Sequence, residues 1–385
     1  MTTTLAEGAA APATDIARAT DWPFLGAAVA MTAVLIALVV LDGEPRSAAL
    51  IVAGFGLGVA FLKFEFSFTA SWRRFLVRGE AGGLLAALLL IAIAALVIVP
   101  VAATVKGFGG AIAPIGPSLV IGAFVFGIGM QLANGCGSGT LYTAGGGSGR
   151  MLIALLGFIV GSVVGSLQLP AFLALGGVDP ILASDYLGPW GGLAATLASI
   201  AAAAAVVVAV ARTRGAVIAP RRSLLLGAAA IGALAIATFV AGGHPWSVTF
   251  GFTLWGAKAA HLVGFDFSAA PFWQWPGPKR ALADSVLSDT SSLTDFGMIL
   301  GAMAAAAGSK PFARASWPPL PSLAAAVIGG LLMGWGARLG FGCNIGAFVG
   351  GVASGSLHGW IWFAAALGGC AIGIRLRPRF GLSRE

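Results

Sequence analysis

Long apolar runs separated by short polar stretches make up most of this chain. A helix that crosses a membrane needs about 20 apolar residues, and about ten runs come near that length. The candidate spans are 23–41, 48–64, 82–101, 117–134, 150–169, 190–211, 223–242, 293–307, 321–339 and 357–375. The pattern therefore predicts an all-α polytopic membrane protein with about nine to ten transmembrane helices.

Four apolar stretches are too short or too broken to cross. Two of them are FSFTASWRRFLV (66–77) and PWSVTFGFTLWGAKAAHL (245–262), and the other two are glycine-rich loops around Cys136 and Cys343. Irregular backbone at membrane depth is tolerated only inside protein or beside a watery cavity. We expect these stretches to be re-entrant segments that end within the membrane.

Composition and charge exclude a soluble protein and a nucleic-acid binder. Hydrophobic residues make up 58% and charged residues 9% of the chain, whereas soluble domains carry about 25% charged residues. The net charge of +8 comes from Arg and Lys in short clusters between apolar runs, as juxtamembrane charges do. The first 20 residues lack a cleavable-signal pattern, and we predict a disordered tail there.

Four basic clusters set the expected topology. They are Arg73, Arg74 and Arg78; Arg212, Arg214, Arg221 and Arg222; Lys310 and Arg314; and Arg375, Arg377, Arg379 and Arg384. All fall on one side of the membrane if 245–262 does not cross. The positive-inside rule makes that side the cytoplasm. This predicts a multi-pass protein of a bacterial inner membrane, embedded in lipid, with both termini cytoplasmic.

The two cysteine loops share a sequence pattern. GMQLANGCGSGT (129–140) and GARLGFGCNIGA (336–347) both read G-x-x-L-x-x-G-C-x-x-G, and a broken apolar segment precedes each. The fourth span runs inward and the ninth outward, so the loops enter from opposite faces. This predicts an inverted-topology repeat, whereas a crossing by 245–262 would make the repeat parallel. The expected division is a tail at 1–20, an extra helix at 21–47, a first repeat at 48–175, a linking helix and loop at 176–222, a second repeat at 223–377 and a tail at 378–385.

The loops combine flexible backbone with a thiol, which suits a soft anion. Their glycines permit positive φ and close backbone approach: Gly135, Gly137, Gly139, Gly342 and Gly346. The helices expected from near Gly149 and Gly359 would point N–H groups at the loops, and a thiol is a soft, polarizable contact. A lone membrane cysteine usually only packs, as we expect for Cys370, but Cys136 and Cys343 occupy matching positions. Opposite approach disfavours a disulfide between them, and no metal-ligand spacing appears, so we expect neither a metal nor a cofactor.

These motifs resemble the YeeE/YedE family (sulphur-transport domain) from about 48 to 377. The resemblance implies a thiosulfate uptake permease, with one branch of the family tied to selenium metabolism. It also implies an hourglass of helices in which short loops from both faces meet at the middle. Conserved cysteines would pass thiosulfate along by S–H···S contacts, and Cys136 and Cys343 match two of them. A third family cysteine falls at Ser67, which keeps a hydroxyl donor. A TusA-like sulfur-carrier protein is the cytoplasmic partner that the resemblance implies.

Five further polar residues near the loops are candidates for the substrate path. Arg338 could hold a dianion or reach the outer interface, and Gln131 occupies the matching place in the first loop. Lys258 could act similarly. Asn134 and Asn344 could donate to the solute or cap turns.

Four functions stay open at this point. The first, which we favour, is transport of a small sulfur oxyanion, with thiosulfate as the leading candidate. The second is transport of sulfite or a selenium compound. The third, an intramembrane sulfurtransferase, would need an activated thiol and a nearby base; no such motif is visible, so we expect no enzyme. The fourth is a channel or scaffold in which the cysteines only pack.

Overall fold

The computed structural model describes residues 20–309 and 318–385, and these residues form an α-helical protein. The helices are α1 (Trp22–Leu41), α2 (Pro45–Lys63), α3 (Phe68–Arg78), α4 (Gly82–Thr104), α5 (Pro117–Ala133), α6 (Gly137–Gly145), α7 (Gly149–Leu173), α8 (Ala183–Thr213), α9 (Arg222–Gly242), α10 (Thr249–Leu262), α11 (Pro271–Gln274), α12 (Pro276–Ala283), α13 (Thr290–Ser309), α14 (Leu320–Leu339), α15 (Gly350–Ala353) and α16 (Leu357–Leu376). A π-helical turn, Asn344–Val349, precedes α15, and 3₁₀ turns span Val286–Ser288 and Arg377–Phe380. The predicted tail, apart from Thr20, and the cluster at 310–314 lie outside the described residues.

Nine segments of the described chain are long and apolar enough to cross a membrane, which confirms the multi-pass prediction. Large apolar side chains point outward from them, as on Val34 of α1 and Leu156 of α7, and lipid is the solvent that suits such a surface. The span expected over 293–307 is α13. It is not among the nine, because the polar residues in its first two turns, TSSLTD, lower its mean hydropathy. It is also largely buried inside the protein.

Glycine contacts show that α5 and α14 pack antiparallel. A Cβ atom on Gly122 would lie 2.7 Å from the carbonyl oxygen of Gly336, and one on Gly336 would lie 2.6 Å from that of Gly122. Gly129 and Gly329 make the same reciprocal contact, at 2.6 and 2.7 Å. Residue numbers rise along one helix as they fall along the other. Small residues allow the two backbones to touch at this crossing.

The flanking helices repeat this reciprocity. On α7, Gly161 lies against the Leu331 carbonyl of α14, and on α16 Gly369 lies against the Phe124 carbonyl of α5. Gly161 and Gly369 follow Cys136 and Cys343 along the chain at nearly the same spacing. The two halves therefore bury their glycines in matching places.

Helix α2 packs parallel to α13. A Cβ on Gly54 would meet the Thr294 carbonyl, and one on Gly58 would meet the Met298 carbonyl. If α4, α5, α7, α8 and α9 each cross the membrane, a full crossing by α10 would make α13 antiparallel to α2. The observed parallel packing agrees with a segment at 245–262 that does not cross.

The two broken apolar segments form the short helices α3 and α10, of 11 and 14 residues. At about 1.5 Å per residue, α3 is about 17 Å and α10 about 21 Å long, less than the roughly 30 Å of a hydrocarbon core. Ser67 caps α3 by accepting from Ala70 N–H at 3.2 Å, and Gly79 ends it with a left-handed φ of 76°.

Candidate functional site

The two cysteine loops meet inside the protein. Both thiols are free, and 2% of Cys136 and 0% of Cys343 are exposed. A Cβ atom on Gly137, the residue after Cys136, would lie 2.8 Å from the Sγ atom of Cys343. Glycine at 137 therefore leaves the space that the opposite thiol occupies.

The first loop places its thiol at the start of a short helix. Asn134 ends α5 with a left-handed φ of 61°, which Asn tolerates better than most residues. Cys136 is extended and caps α6, and its Sγ accepts from Gly139 N–H at 3.3 Å. Ser138 Oγ lies 3.5 Å from the same sulfur. We expected the N-terminus of the helix that begins at Gly149, α7, to face this loop. The helix N-terminus beside Cys136 is instead that of α6, because the loop itself forms a helix.

The second loop has a different backbone. Gly342 has a φ of 148°, and a Cβ there would lie 2.7 Å from the Ala347 nitrogen. Cys343 follows and its carbonyl accepts from Ala347 N–H at 2.9 Å, at the start of the π turn. A Cβ on Gly346 would lie 3.6 Å from Ser247 Oγ, which is an ordinary contact. The crowded backbone at Gly342 therefore restricts the position of this thiol, and the backbone amides of Ile345 and Gly346 face its sulfur.

Polar atoms without hydrogen-bond partners adjoin both thiols. The Thr69 hydroxyl faces the Cys136 sulfur and otherwise has no partner among the described residues. The side-chain amide of Asn344, next to Cys343, is fully buried and also lacks a partner in the described part of the chain. Burying such groups without hydrogen bonds is unfavourable. They are therefore candidate donors to a bound solute.

The short helices α3 and α10 both begin beside the thiols. Thr69 lies in the first turn of α3, and the methyl group of Thr249, the first residue of α10, lies 3.6 Å from the Cβ position of Gly137. Ser67 lies beside the Tyr142 hydroxyl of α6, and the Tyr142 ring stacks on Phe61 at 5.2 Å. The structure thus brings Ser67 to the first loop, although its nearest polar partners are a tyrosine and a backbone amide.

Gln131 and Asn134 are held by arginines at the end of α5. Arg73 donates to Asn134 Oδ1 at 2.8 Å and to Gln131 Oε1 at 3.3 Å. Arg377 donates to the Gln131 carbonyl at 2.6 Å, and Arg150 donates to the Leu132 carbonyl at 2.9 Å. Guanidinium groups at a helix C-terminus satisfy carbonyls that lack helical partners. Asn134 therefore both turns the chain and binds arginine.

Arg338 and Lys258 make contacts elsewhere. The Arg338 guanidinium lies 5.2 Å from the ring centre of Phe272 and 6.0 Å from that of Phe250, a cation–π arrangement. Lys258 donates to the Leu282 and Asp284 carbonyls at 2.9 and 2.6 Å, beside a cavity of about 700 Å³. The observed contacts of Lys258 are with the 263–291 segment rather than with either cysteine loop.

A profile of the sulphur transport family matches residues 63–372. The chain belongs to that family. This confirms the resemblance inferred from the twin cysteine loops, both of which lie inside the matched region.

Curated members similar to this chain are the probable transporters YedE of Escherichia coli K12 and of Salmonella typhimurium LT2. Each is 33% identical to it over 147 residues, which is 38% of this chain and 35% of the relative. The match thus spans about a third of the relatives' length. Their names describe a transporter, which agrees with a membrane transporter connected with sulfur.

Two residues that the sequence analysis did not select stand out in this family member. Cys370 lies beside Gln131 and Arg73, although its mid-helix position indicated only packing. Asp295 is a fully buried carboxylate. Its place within the predicted span 293–307 was a visible signal, since charged residues inside membrane segments are usually functional.

Proposed function

We propose that this protein takes up a small sulfur oxyanion through a path that passes between Cys136 and Cys343. Thiosulfate is the substrate that we propose first. The observation that carries the proposal is the approach of the Cys343 sulfur to the bare backbone at Gly137. Two reduced thiols from different halves of the chain converge on one buried point. A sulfane sulfur would meet soft S–H groups there.

The polar groups around the thiols suit the oxygen end of such an anion. The Thr69 hydroxyl and the Asn344 amide can donate to sulfonate oxygens. Both are buried, and in the described chain only the Cys136 sulfur competes for the Thr69 hydroxyl. The N-terminus of α6 adds a positive partial charge beside Cys136, which favours an anion. These donors would replace the water that the solute loses on entering.

The antiparallel packing of α5 and α14 supports an inverted-topology repeat. If both helices cross the membrane, the loops that follow them enter from opposite faces. We place the repeats at 48–175 and 223–377 and both termini in the cytoplasm of a bacterial inner membrane. Arg73, Arg150 and Arg377 then lie on the cytoplasmic side, where a TusA-like carrier could receive the sulfur compound.

Uptake of sulfur-35 thiosulfate tests the proposal. Cells without their own uptake route would express the parent, Cys136→Ala, Cys343→Ala or Cys370→Ala at matched membrane levels. We expect parental uptake, loss in either loop variant and retention in Cys370→Ala, a matched control for removing a buried thiol. Uptake unaffected by both loop substitutions would contradict a thiol-lined path and favour a channel in which the cysteines pack.

Competition separates the related substrates. Unlabelled sulfite, selenite and sulfate would be added in turn to the parental uptake assay. We expect thiosulfate itself to compete best, because it presents a terminal sulfur to the thiols. Stronger competition by a selenium compound or by sulfite would reassign the substrate within the same site.

A further inference from the structure

Asp295 carries a side-chain carboxyl group that is buried in the protein. It lies in the second turn of α13 with 0% of the residue exposed. Neither Oδ1 nor Oδ2 has a hydrogen-bond partner among the described residues. An isolated carboxylate in such surroundings is far more stable with its proton than without it.

The carboxyl group adjoins the thiol site. A Cβ on Gly251, in the first turn of α10, would lie 2.9 Å from Asp295 Oδ2. The same turn carries Thr249, whose methyl group lies near the Cβ position of Gly137, which the Cys343 sulfur also approaches. Asp295 is also near enough to Cys343 for the two groups to interact electrostatically. An anion between the thiols would therefore respond to the protonation state of Asp295.

A small polar cavity leads toward this region. It measures about 70 Å³ and lies between the end of α9 and the starts of α10 and α13. Its lining includes His244, Ser247, Thr290, Ser291 and Thr294. Thr294 precedes Asp295, and Ser247 adjoins Gly346 of the second loop. The volume is enough for about two waters, at roughly 30 Å³ each.

Few other titratable groups face Asp295. Helices α1, α2, α6 and α10 and the 3₁₀ turn at Val286–Ser288 pack against α13. Helices α1 and α6 contain no charged residue, and the charges of α2, Arg46 and Lys63, lie at its ends. Lys258 of α10 is bound to carbonyls of another segment, and His261 lies near the C-terminus of that helix.

Asp289 and His244 are the remaining groups to consider. Asp289 caps α13 by accepting from the Ser292 amide and hydroxyl, both at 2.7 Å, and its charge acts on Asp295. Burial raises the pKa of Asp289 above its ordinary value. Asp289 is therefore the other carboxyl group that could bind the proton in place of Asp295. Burial lowers the pKa of His244, so at neutral pH this histidine at the cavity is mostly neutral.

We propose that Asp295 carries a proton inward with each anion, so that uptake is proton-coupled. This rests on the anion uptake proposed above. In the loaded state Asp295 holds the proton received from the outer cavity, and the anion lies between the thiols. The O–H bond breaks when the anion leaves, the proton passes to the cytoplasmic side, and the carboxylate takes a new proton from outside. One proton and one anion enter per cycle.

Purified protein in liposomes tests the coupling. Sulfur-35 thiosulfate uptake would be measured with and without an inward proton gradient, with the membrane potential clamped, and an internal pH dye would report proton entry. Thiosulfate exchange at equal pH would be measured separately. The variants are Asp295→Asn and, as the control, Asp289→Asn, which keeps a good helix cap.

We expect the gradient to accelerate uptake by the parent and by Asp289→Asn. Asp295→Asn should lose that acceleration and the proton entry but retain exchange. Exchange-competent parent protein without proton entry would overturn the coupling while leaving thiosulfate transport intact. Gradient-driven uptake that survives in Asp295→Asn would also overturn it.

Infrared titration provides a readout without substrate. A protonated buried carboxyl group gives a carbonyl band that should be present in the parent at neutral pH and absent in Asp295→Asn. If folded parent protein fails even to exchange thiosulfate, the proposed function fails, and this band still decides whether Asp295 holds a proton. Its absence from the parent would overturn the proton-carrying role directly.

Discussion

The sulfur of Cys343 occupies the space that a side chain on Gly137 would fill, 2.8 Å from the missing Cβ atom. Each residue belongs to a different cysteine loop. One loop therefore depends on a glycine in the other for its thiol to reach the centre. Both halves of the chain therefore contribute residues to the site.

Gly137→Ala should disable uptake while the protein still folds. The added methyl group would displace the Cys343 thiol, and we expect uptake to fall by about tenfold or more, which corresponds to at least about 1.4 kcal/mol. Gly346→Ala is the matched control in the other loop, because its Cβ would make only an ordinary contact with Ser247. Parental uptake by Gly137→Ala, at equal membrane levels, would show that the thiol position is unimportant.

Thr69→Val should weaken substrate binding. The substitution preserves shape and removes a hydroxyl that has no other hydrogen-bond partner in the described chain. A hydrogen bond to a charged group contributes about 1.5–3 kcal/mol, so we expect KM for uptake to rise about tenfold or more. Thr253→Val is the control, since the Thr253 hydroxyl bonds to the Thr249 carbonyl within α10. Equal KM values for the two variants would show that Thr69 does not contribute to substrate binding.

Ser67→Ala should reduce both stability and uptake. Loss of the α3 cap costs about 1 kcal/mol. Ser67→Cys should retain uptake, because a cysteine sulfur can cap a helix as Cys136 caps α6. Ser148→Ala is the control because Ser148 caps α7 through Met151 N–H. It should lower the thermal unfolding temperature similarly without changing uptake per folded molecule. If Ser67→Ala behaves like this control, Ser67 is a helix cap and not part of the path.

Gly122→Ala should destabilise the crossing of α5 and α14. The new Cβ would lie 2.7 Å from the Gly336 carbonyl oxygen, and overpacking of this kind costs about 1–3 kcal/mol. Thermal unfolding in detergent measures the effect. Gly368→Ala, whose Cβ would meet only Phe124 ring atoms at 3.7 Å, should unfold no earlier than the parent. Unchanged stability in Gly122→Ala would argue against the close crossing.

The sequence alone was enough to predict the helical spans, the short segments α3 and α10 and the matching positions of Cys136 and Cys343 in two similar loops. These features depend on local hydrophobicity and on a repeated motif, and residues that are close together in the sequence determine both. The helix α6 was missed, because GSGTLYTAG contains three glycines and has little helix propensity of its own.

Tertiary structure alone decided which groups share the site. The contacts of Cys343 with Gly137, of Thr69 with Cys136 and of Asp295 with Gly251 join residues from separate helices and loops. They exist because helices pack through glycine backbones in one register, and no local periodicity encodes that register. The sequence determined that two thiols lie in matching loops, whereas helix packing determined that they meet, and that a buried carboxyl group lies beside them.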